Sequence, residues 1–151
     1  MNTPLIETRH LKKYFETASG QLHAVDDVNL TIGRGQTLGV VGESGCGKST
    51  FGRVVLRLLE ATSGEVLYNG ENILKYSRAE MDRMRQKMQI IFQDPYASLN
   101  PRMTVSDIIA EPIRVCKTMK NKTEIMDKVD ELMQIVAVSY THLTLPTILR
   151  V

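Results

Sequence analysis

The stretch G-E-S-G-C-G-K-S at residues 42–49 decides the fold, because it fits the pattern G-x-x-x-x-G-K-[ST] at every fixed position. Residues 36–41, Q-T-L-G-V-V, precede it as a short apolar run with β-branched side chains, which predicts a buried parallel strand. Residues 49–59 follow it with apolar side chains at helical spacing, which predicts a helix. This order of strand, glycine-rich loop and helix predicts an α/β domain with a phosphate-binding loop.

The residue types of this loop suit the binding of a nucleotide. Glycine permits turns in which successive N–H groups point inward, toward an anion at the positive end of the following helix. Lys48 is expected to contact the β- and γ-phosphates, Ser49 to offer its hydroxyl to Mg²⁺, and Thr50 to reach the α-phosphate. A glycine-rich connection that only turns the chain needs no Lys-Ser-Thr at its end. The predicted binding set for ATP or GTP is Gly42, Glu43, Ser44, Gly45, Cys46, Gly47, Lys48, Ser49 and Thr50.

The composition is that of an ordinary soluble domain. The chain has 151 residues, of which 42% are hydrophobic and 24% charged, enough for one domain with one core. Its net charge of +2 is too small to predict a nucleic-acid or membrane surface. Cys46 and Cys116 suggest neither a metal site nor a disulfide framework, and two such thiols fit a reducing compartment. No apolar stretch approaches the length of a membrane span or has the form of a signal peptide, so we expect a cytoplasmic protein whose membrane role comes through partners.

Short strands are predicted on both sides of the loop and its helix. Residues 5–11 and 28–32 alternate apolar and polar side chains, as strands with one buried face do. Residues 65–68 have the same character, and Asn69-Gly70 directly after them is a strong tight-turn signal. An edge hairpin is therefore expected at this point.

The second half of the chain is predicted to be mainly helical. Residues 78–87 are predicted as a helix and residues 88–92 as a buried strand. T-V-S-D at residues 104–107 is a capping box that opens a helix, which Pro112 should kink or end. N-K-T-E at residues 121–124 is a similar start for a last helix. The apolar stripe of that helix, expected in the core rather than in a cofactor site, is Ile125, Val129, Leu132 and Val136.

Three separated stretches resemble the nucleotide-binding subunit of an ABC transporter. G-E-S-G-C-G-K-S-T at residues 42–50 is similar to the family's phosphate loop, and T-S-G-E-V-L-Y-N-G-E-N-I at residues 62–73 looks like its antiparallel arm. The stretch at residues 88–105, M-Q-I-I-F-Q-D-P-Y-A-S-L-N-P-R-M-T-V, looks like its Q-loop. Its sequence is similar to that of the subfamily that serves oligopeptide and dipeptide importers, which also includes nickel and glutathione importers.

The resemblance covers residue 5 to about residue 136 and implies a fold. It implies that residues 1–137 are the N-terminal part of an ABC-type P-loop NTPase domain of the α/β class, truncated, with an antiparallel β arm and the start of a helical subdomain.

The resemblance also implies roles for Gln93 and Tyr14. In the family, the glutamine at the position of Gln93 touches Mg²⁺ or the attacking water and lies on the loop that faces the coupling helix of the membrane subunits. Gln93 is thus the expected catalytic residue and a second metal ligand beside Ser49; the alternative is an ordinary exposed loop glutamine. Tyr14 stands where the family places the aromatic ring that stacks on adenine. The alternatives are a tyrosine that only packs on the sheet, and Phe15 in the stacking role.

The partners and location that the resemblance implies are those of an importer subunit. They are transmembrane permease subunits met through the Q-loop, a second nucleotide-binding subunit of the same or a sister kind, and, indirectly, a periplasmic or extracellular substrate-binding protein. The protein would lie on the inner face of the cell membrane, with ATP and Mg²⁺ as cofactors and no nucleic acid. Two alternatives are a soluble P-loop ATPase or ABC-type translation or repair factor without a transporter, and an incomplete chain without function.

Several of the family's motifs are absent from these 151 residues: the L-S-G-G-Q signature, the Walker B strand ending in Asp-Glu, the D-loop and the switch histidine. Hydrolysis needs the carboxylates that hold Mg²⁺ and orient water, so this chain is expected to bind nucleotide without turning it over, whereas the full-length protein would be an ABC-type ATPase. Glu111 follows only three apolar residues in a predicted helix and His142 lies in an unmatched segment, so neither is expected to substitute.

The character of the chain changes at residue 138. Residues 138–151 begin V-S-Y-T-H-L-T-L-P-T and lack the charged helical pattern that precedes them. Those ten residues can be back-translated into codons that resemble a transposon-end adaptor of sequencing libraries. We therefore expect residues 138–151 to be a non-homologous tail of artificial origin, the alternative being a natural divergent tail.

Overall fold

An antiparallel sheet of four strands organises the first of the two units into which this computed structural model divides. The structure describes residues 3–94, 98–116, 118–119 and 121–136. The first unit covers Met1–Ile90 and the second Ile91–Val151. The strands are β1 (Ile6–Thr17), β2 (Gly20–Ile32), β3 (Ser63–Tyr68) and β4 (Glu71–Asn72), and their order in the sheet is β2-β1-β3-β4.

β1 and β2 form a long hairpin that includes and extends the strands predicted at residues 5–11 and 28–32. Its register runs from Thr17 opposite Gly20 at the turn to Ile6 opposite Ile32 at the open end. β3 pairs with the other edge of β1, again antiparallel, with Ile6 opposite Tyr68. β1 therefore lies in the middle of the sheet, with β2 and β3 on its two sides.

The hairpin is interrupted by an irregularity in which two non-glycine residues adopt left-handed backbone conformations. These are His10, with φ 46°, and Asp27, with φ 51°, and their side chains meet at 2.8 Å between Nδ1 and Oδ1. Gly64 of β3 lies against this bulge with φ +95°, and a Cβ added there would stand 2.3 Å from the carbonyl oxygen of His10. Only glycine fits at that position, because any side chain would meet rigid backbone.

The predicted edge hairpin at Asn69-Gly70 is confirmed. Asn69 and Gly70 both have positive φ, 51° and 86°, as a two-residue hairpin turn requires, and Tyr68 pairs with Glu71 across it. β4 ends after two residues because Asn72 caps a short 3₁₀ helix, Ile73–Lys75, by accepting a hydrogen bond from the Leu74 amide.

Two helices, α1 (Lys48–Val55) and α2 (Arg78–Met84), accompany the sheet. Both begin near the predicted residues and end earlier than predicted. α1 ends before Arg57, which has φ +50° and donates hydrogen bonds to the carbonyls of Ile73 and Tyr76 at 3.2 and 2.7 Å. The core of the unit is Leu11, Val54, Val55, Val66, Ile73, Met81 and Met84.

The second unit contains two helices that pack on each other, α3 (Val105–Val115) and α4 (Lys122–Ile135). The predicted cap of α3 is confirmed, since Thr104 Oγ1 accepts a hydrogen bond from the Asp107 amide at 3.1 Å. Pro112 does not end this helix, which continues to Val115. The predicted stripe of α4 is right at Ile125 and Val129 but wrong at its end, and the core is Ala110, Ile125, Val129 and Met133.

The end of the α4 stripe differs because the helix ends at Ile135 and its buried positions recur every four residues. Val136 is 64% exposed, and Met133, which the stripe omits, is 2% exposed. Val136 is the C-cap residue, one position after the last residue of the helix, so the helical spacing that buries Ile125 and Val129 no longer applies to it.

The two buried strands predicted at residues 36–41 and 88–92 are not formed. Val41 is 94% exposed and Ile91 96% exposed, and no strand in the described ranges pairs with either segment. A parallel strand lies buried between hydrogen-bonded neighbours, and without them its apolar residues cannot leave water. The segments keep a strand-like composition without the pairing that makes a strand.

Candidate nucleotide-binding site

The glycine-rich loop connects the end of β2, through residues 33–41, to the start of α1. Its turns use left-handed glycines, with φ +82° at Gly45 and +94° at Gly47. Residues 42–46 are exposed to solvent. The strand predicted before the loop is missing, but the loop and the helix after it have the predicted order.

The N-terminus of α1 has the properties of an anion site. Gly47 is its N-cap residue, so no side chain caps the helix, and its first turn contains no acidic residue. The first amides of a helix have no partner within the helix and lie at the positive end of its dipole. A phosphate group supplies the acceptors that these amides lack.

Lys48 lies across the loop that precedes it. Its ammonium donates hydrogen bonds to the carbonyl oxygens of Gly42 at 2.7 Å and Glu43 at 2.6 Å, and lies 3.5 Å from Cys46 Sγ. The charge is therefore held over the loop, where the sequence places phosphate oxygens. Ser49, at the start of α1, is exposed and Thr50 is half-buried. The donor set of amides, ammonium and hydroxyls fits the phosphates of a nucleotide, and the Ser49 hydroxyl fits a Mg²⁺ bound to them.

The main chain of the loop contacts the hairpin at Gly47. A Cβ added to Gly47 would stand 2.1 Å from the carbonyl oxygen of Ala24 in β2, so the two backbones are in close contact. Ala24 directly follows His23, which is opposite Tyr14 in the β1–β2 register. The predicted adenine-stacking residue is thus on the strand pair that contacts the start of α1.

Tyr14 has a defined environment on this hairpin. Its ring stacks on the imidazole of His23, with centroids 3.9 Å apart and planes 12° apart, and its hydroxyl donates a hydrogen bond to Asp26. Its backbone amide donates to Thr62 Oγ1 at 2.9 Å. Phe15, the competing candidate, is the next residue of the strand and so points to the opposite face of the sheet, where Lys13 Nζ lies 4.9 Å from its ring centroid.

The hydrogen bond between Tyr14 and Asp26 changes the acidity of both groups. It raises the pKa of the Tyr14 phenol and lowers the pKa of the Asp26 carboxyl. Sequence reasoning missed both His23 and Asp26. Counting back from the turn between Thr17 and Gly20 would have paired position 14 with position 23.

Gln93 is exposed and belongs to the second unit, whereas the phosphate loop belongs to the first. Its catalytic and metal-binding roles stay predictions. Glu111 is an exposed residue within α3. His142 and the whole predicted tail, residues 138–151, lie outside the described residues.

Neither a metal cluster nor a membrane-spanning helix is found in the described ranges. No group of three or more His, Cys, Asp or Glu side chains is placed to hold a metal ion there. None of the helices in the described part of the chain combines the length and apolar character needed to cross a bilayer.

A glycine-rich loop that enters an uncapped helix under a lysine ammonium, beside an antiparallel sheet, defines a nucleotide-binding domain of the phosphate-loop class. The sequence profile of the ABC transporter family matches residues 25–147, and the chain belongs to that family.

Similar proteins are peptide-import subunits by name. The oligopeptide transport ATP-binding protein OppF of Bacillus subtilis is 54% identical over 143 residues, which are 94% of this chain and 47% of that protein. OppF of Salmonella typhimurium is 44% identical over 138 residues, covering 85% of this chain and 41% of that protein. The chain spans about half the length of the curated relatives it matches.

Solved structures agree on the fold. A dimeric ATP-binding cassette, MJ0796, bound to ADP and phosphate in a post-hydrolysis state, matches with a TM-score of 0.77 at 20% identity, over 94% of this chain and 61% of that one. The protein cbiO1 of Clostridium perfringens, part of an ABC transporter complex, matches with a TM-score of 0.67 at 24% identity, over 94% and 54%. The chain therefore has the fold of an ABC cassette in part, which confirms the predicted fold class.

Proposed function

We propose that this chain is the ATP-binding N-terminal part of a subunit that energises ABC-type import of peptides or related small solutes. The observation that carries the proposal is the Lys48 ammonium held over the phosphate loop at the uncapped start of α1. The peptide-import names of the relatives give the transport class. ATP supplies the free energy, through binding and, in the longer protein, hydrolysis.

The proposed roles follow the chemistry of the side chains. The amides of residues 42–50 and the Lys48 ammonium bind the phosphates, and the Ser49 hydroxyl binds Mg²⁺. Tyr14 stacks on adenine, and Gln93 senses the metal or the attacking water on a loop that faces the permease. We assign residues 1–137 to the cassette and residues 138–151 to a non-homologous tail, although the family profile matches as far as residue 147.

The proposed setting is the cytoplasmic face of the cell membrane. There the subunit pairs with a second nucleotide-binding subunit and with transmembrane permeases, while a substrate-binding protein delivers the cargo from outside. Two structural relatives support this setting, since one is a dimeric cassette and the other is part of an ABC transporter complex.

Calorimetry with Mg-ATP tests the binding role. Lys48→Ala should abolish detectable binding, because it removes the charge aligned with the phosphates. Lys75→Ala is the matched control, since that lysine is 78% exposed on the 3₁₀ helix, and it should bind as the wild type does. Unaltered ATP affinity in Lys48→Ala, with an intact circular dichroism spectrum, would contradict the phosphate role.

Co-purification tests the transport role. The full-length subunit, co-expressed with the permease subunits of a peptide importer, should be retained with them in detergent. Gln93→Ala in that complex should lower transport-coupled hydrolysis much more than nucleotide affinity. A full-length subunit that binds ATP but is never retained by permeases would favour a soluble ATPase instead.

A further inference from the structure

The C-terminal end of α1 closes in a conformation that arginine rarely adopts. The Leu58 amide donates to the Arg53 carbonyl at 2.8 Å, and the Arg57 amide donates to the carbonyl of residue 54 at 2.9 Å. These two bonds are those of a Schellman motif, whose left-handed residue is usually glycine because a Cβ makes that conformation costly. Here the left-handed residue is Arg57, with φ 50°. A strained residue persists where its surroundings hold it, so the contacts of the Arg57 side chain point to a role.

The guanidinium of Arg57 bonds two carbonyl oxygens of another segment. Nη1 donates to Ile73 at 3.2 Å and to Tyr76 at 2.7 Å, which are the first residue and the C-cap of the 3₁₀ helix. A cation is favourable at the C-terminal end of a helix, where carbonyl oxygens lack partners. The side chain is only 19% exposed, so water competes weakly for these bonds. Nε also meets Glu60 at 3.2 Å, but that carboxylate is 72% exposed and the pair contributes little.

These contacts, here named the Arg57 joint, lie at the opposite end of α1 from the phosphate loop. α1 has eight residues, and a helix of so few turns is marginal by itself and forms cooperatively. An anion at its N-terminus stabilises the first turn. Because the turns form together, the anion also stabilises the last turn, from which Arg57 reaches the 3₁₀ helix.

We propose that Arg57 is a positioning residue for the phosphate site, which ties the far end of α1 to the 3₁₀ helix and makes the order of that segment depend on bound nucleotide. The inference rests on the proposed binding of ATP at the loop and deepens it. Coupling of this kind is reciprocal: bound ATP strengthens the Arg57 joint, and an intact joint strengthens the binding of ATP.

Arg57→Gly is the informative substitution, because glycine keeps the left-handed turn without strain while the guanidinium is removed. In calorimetry on the 151-residue chain, Mg-ATP should bind about 5-fold more weakly or worse, the lower end of the usual range for coupled sites. Inorganic tripolyphosphate with Mg²⁺ should lose affinity by the same factor, because the joint acts through the phosphate end of α1. Arg57→Lys keeps a cation on the same backbone, and its ATP affinity should lie between those of the wild type and Arg57→Gly.

Hydrogen exchange distinguishes positioning from mere support of the fold. The amides to follow are those of Leu74 and Tyr76, which donate to Asn72 Oδ1 and to the Ile73 carbonyl. In the wild type, saturating Mg-ATP should slow their exchange by about 5-fold or more, and in Arg57→Gly by less than about twofold. A residue that only supports the fold would change their exchange by the same factor with and without ATP.

Arg53 supplies the matched control. It is an exposed arginine in the last turn of α1, on the same helix as the Arg57 joint. Arg53→Ala removes a guanidinium without touching the joint. It should leave both affinities and the ATP-dependent slowing of exchange unchanged.

The failure of the inference is distinguishable from that of the proposed function. A wild-type chain that binds neither ligand would overturn the proposed function, and the inference with it. Wild-type binding together with unchanged affinity in Arg57→Gly would overturn the inference alone. Undiminished slowing of exchange in that variant would also overturn it, and would assign the coupling to the core that α1 and the 3₁₀ helix share. An Arg57→Lys chain that binds ATP no better than Arg57→Gly would show that a cation at the joint has no effect.

Discussion

The β1–β2 hairpin and the two apolar segments at residues 36–41 and 88–92 contain similar residues but have opposite environments. Leu11 and Val25 in the hairpin are 0% and 2% exposed, whereas Val41 and Ile91 are 94% and 96% exposed. Each strand of the hairpin finds its partner across a turn of two residues, so closing the pair costs little chain entropy. The apolar segments need partners brought from far along the chain, and the described residues supply none. An apolar, β-branched composition favours a strand, but the strand forms only where a neighbouring strand pairs with it.

The largest predicted effect tests that contrast directly. Leu11→Ala should lower the free energy of unfolding by about 2–5 kcal/mol, because it opens a cavity in a packed core. Val41→Ala should change it by less than about 0.5 kcal/mol, because the side chain is already in water. Urea unfolding followed by circular dichroism measures both, and similar losses in the two variants would mean that Val41 is buried in solution.

The next effect concerns the junction between the hairpin and the loop. Gly47→Ala should destabilise the chain by about 1–3 kcal/mol and weaken Mg-ATP binding, because its Cβ would meet the Ala24 carbonyl and its φ is left-handed. Gly52→Ala, in the middle of α1 with no atom within 4 Å of the new Cβ, should be neutral or stabilise by up to about 1 kcal/mol. Melting curves measure the stability of the two variants, and calorimetry measures their affinity for Mg-ATP. Equal stability and equal affinity would show that the contact between loop and hairpin contributes to neither.

A smaller effect is expected where local sequence alone determines structure. Ser77 caps α2 through a capping box with Glu80. The helix that begins there carries Met81 and Met84, which are buried in the core. Ser77→Ala should cost about 0.5–2 kcal/mol in urea unfolding, the usual cost of a lost N-cap. Ser63→Ala on the exposed start of β3 is the control and should cost less. A larger loss of stability in Ser63→Ala than in Ser77→Ala would mean that packing alone stabilises α2.

The smallest effect is a pH dependence in the second unit. Hydrogen bonds from Thr104 and then Arg114 lower the pKa of the Asp107 carboxyl at the start of α3. A lowered pKa contributes stability above the ordinary value of 3.8, and this contribution is lost as the pH falls through the lower folded value. Helicity should thus decline below about pH 4 through weakening of α3. In Asp107→Asn, the decline of helicity below about pH 4 should be smaller, because the titrating carboxyl is gone. An unchanged decline would mean that other carboxylates cause it.

The parts of the molecule that were predictable from sequence are those fixed by neighbours in the chain. The glycine-rich loop with its following helix, the Thr104 cap and the Asn69-Gly70 turn each depend on a few consecutive residues, and each is found where predicted. The left-handed Arg57 was not predictable, because the carbonyls that hold its guanidinium come from residues 73 and 76. His23 was missed for the same reason, since its contact with Tyr14 exists only through the register of the hairpin.

The two hydrogen bonds of Lys48 have a consequence for the thermodynamics of binding. They close a ring of main chain from Gly42 to Lys48, so the loop has little conformational freedom to lose when a ligand arrives. When a phosphate binds, the ammonium exchanges neutral carbonyl oxygens for charged phosphate oxygens, and a hydrogen bond between two charged groups is the stronger kind. The affinity of the loop then comes from the helix amides, from the Lys48 charge and from a low ordering entropy, a signature that calorimetry separates from that of a loop that folds on its ligand.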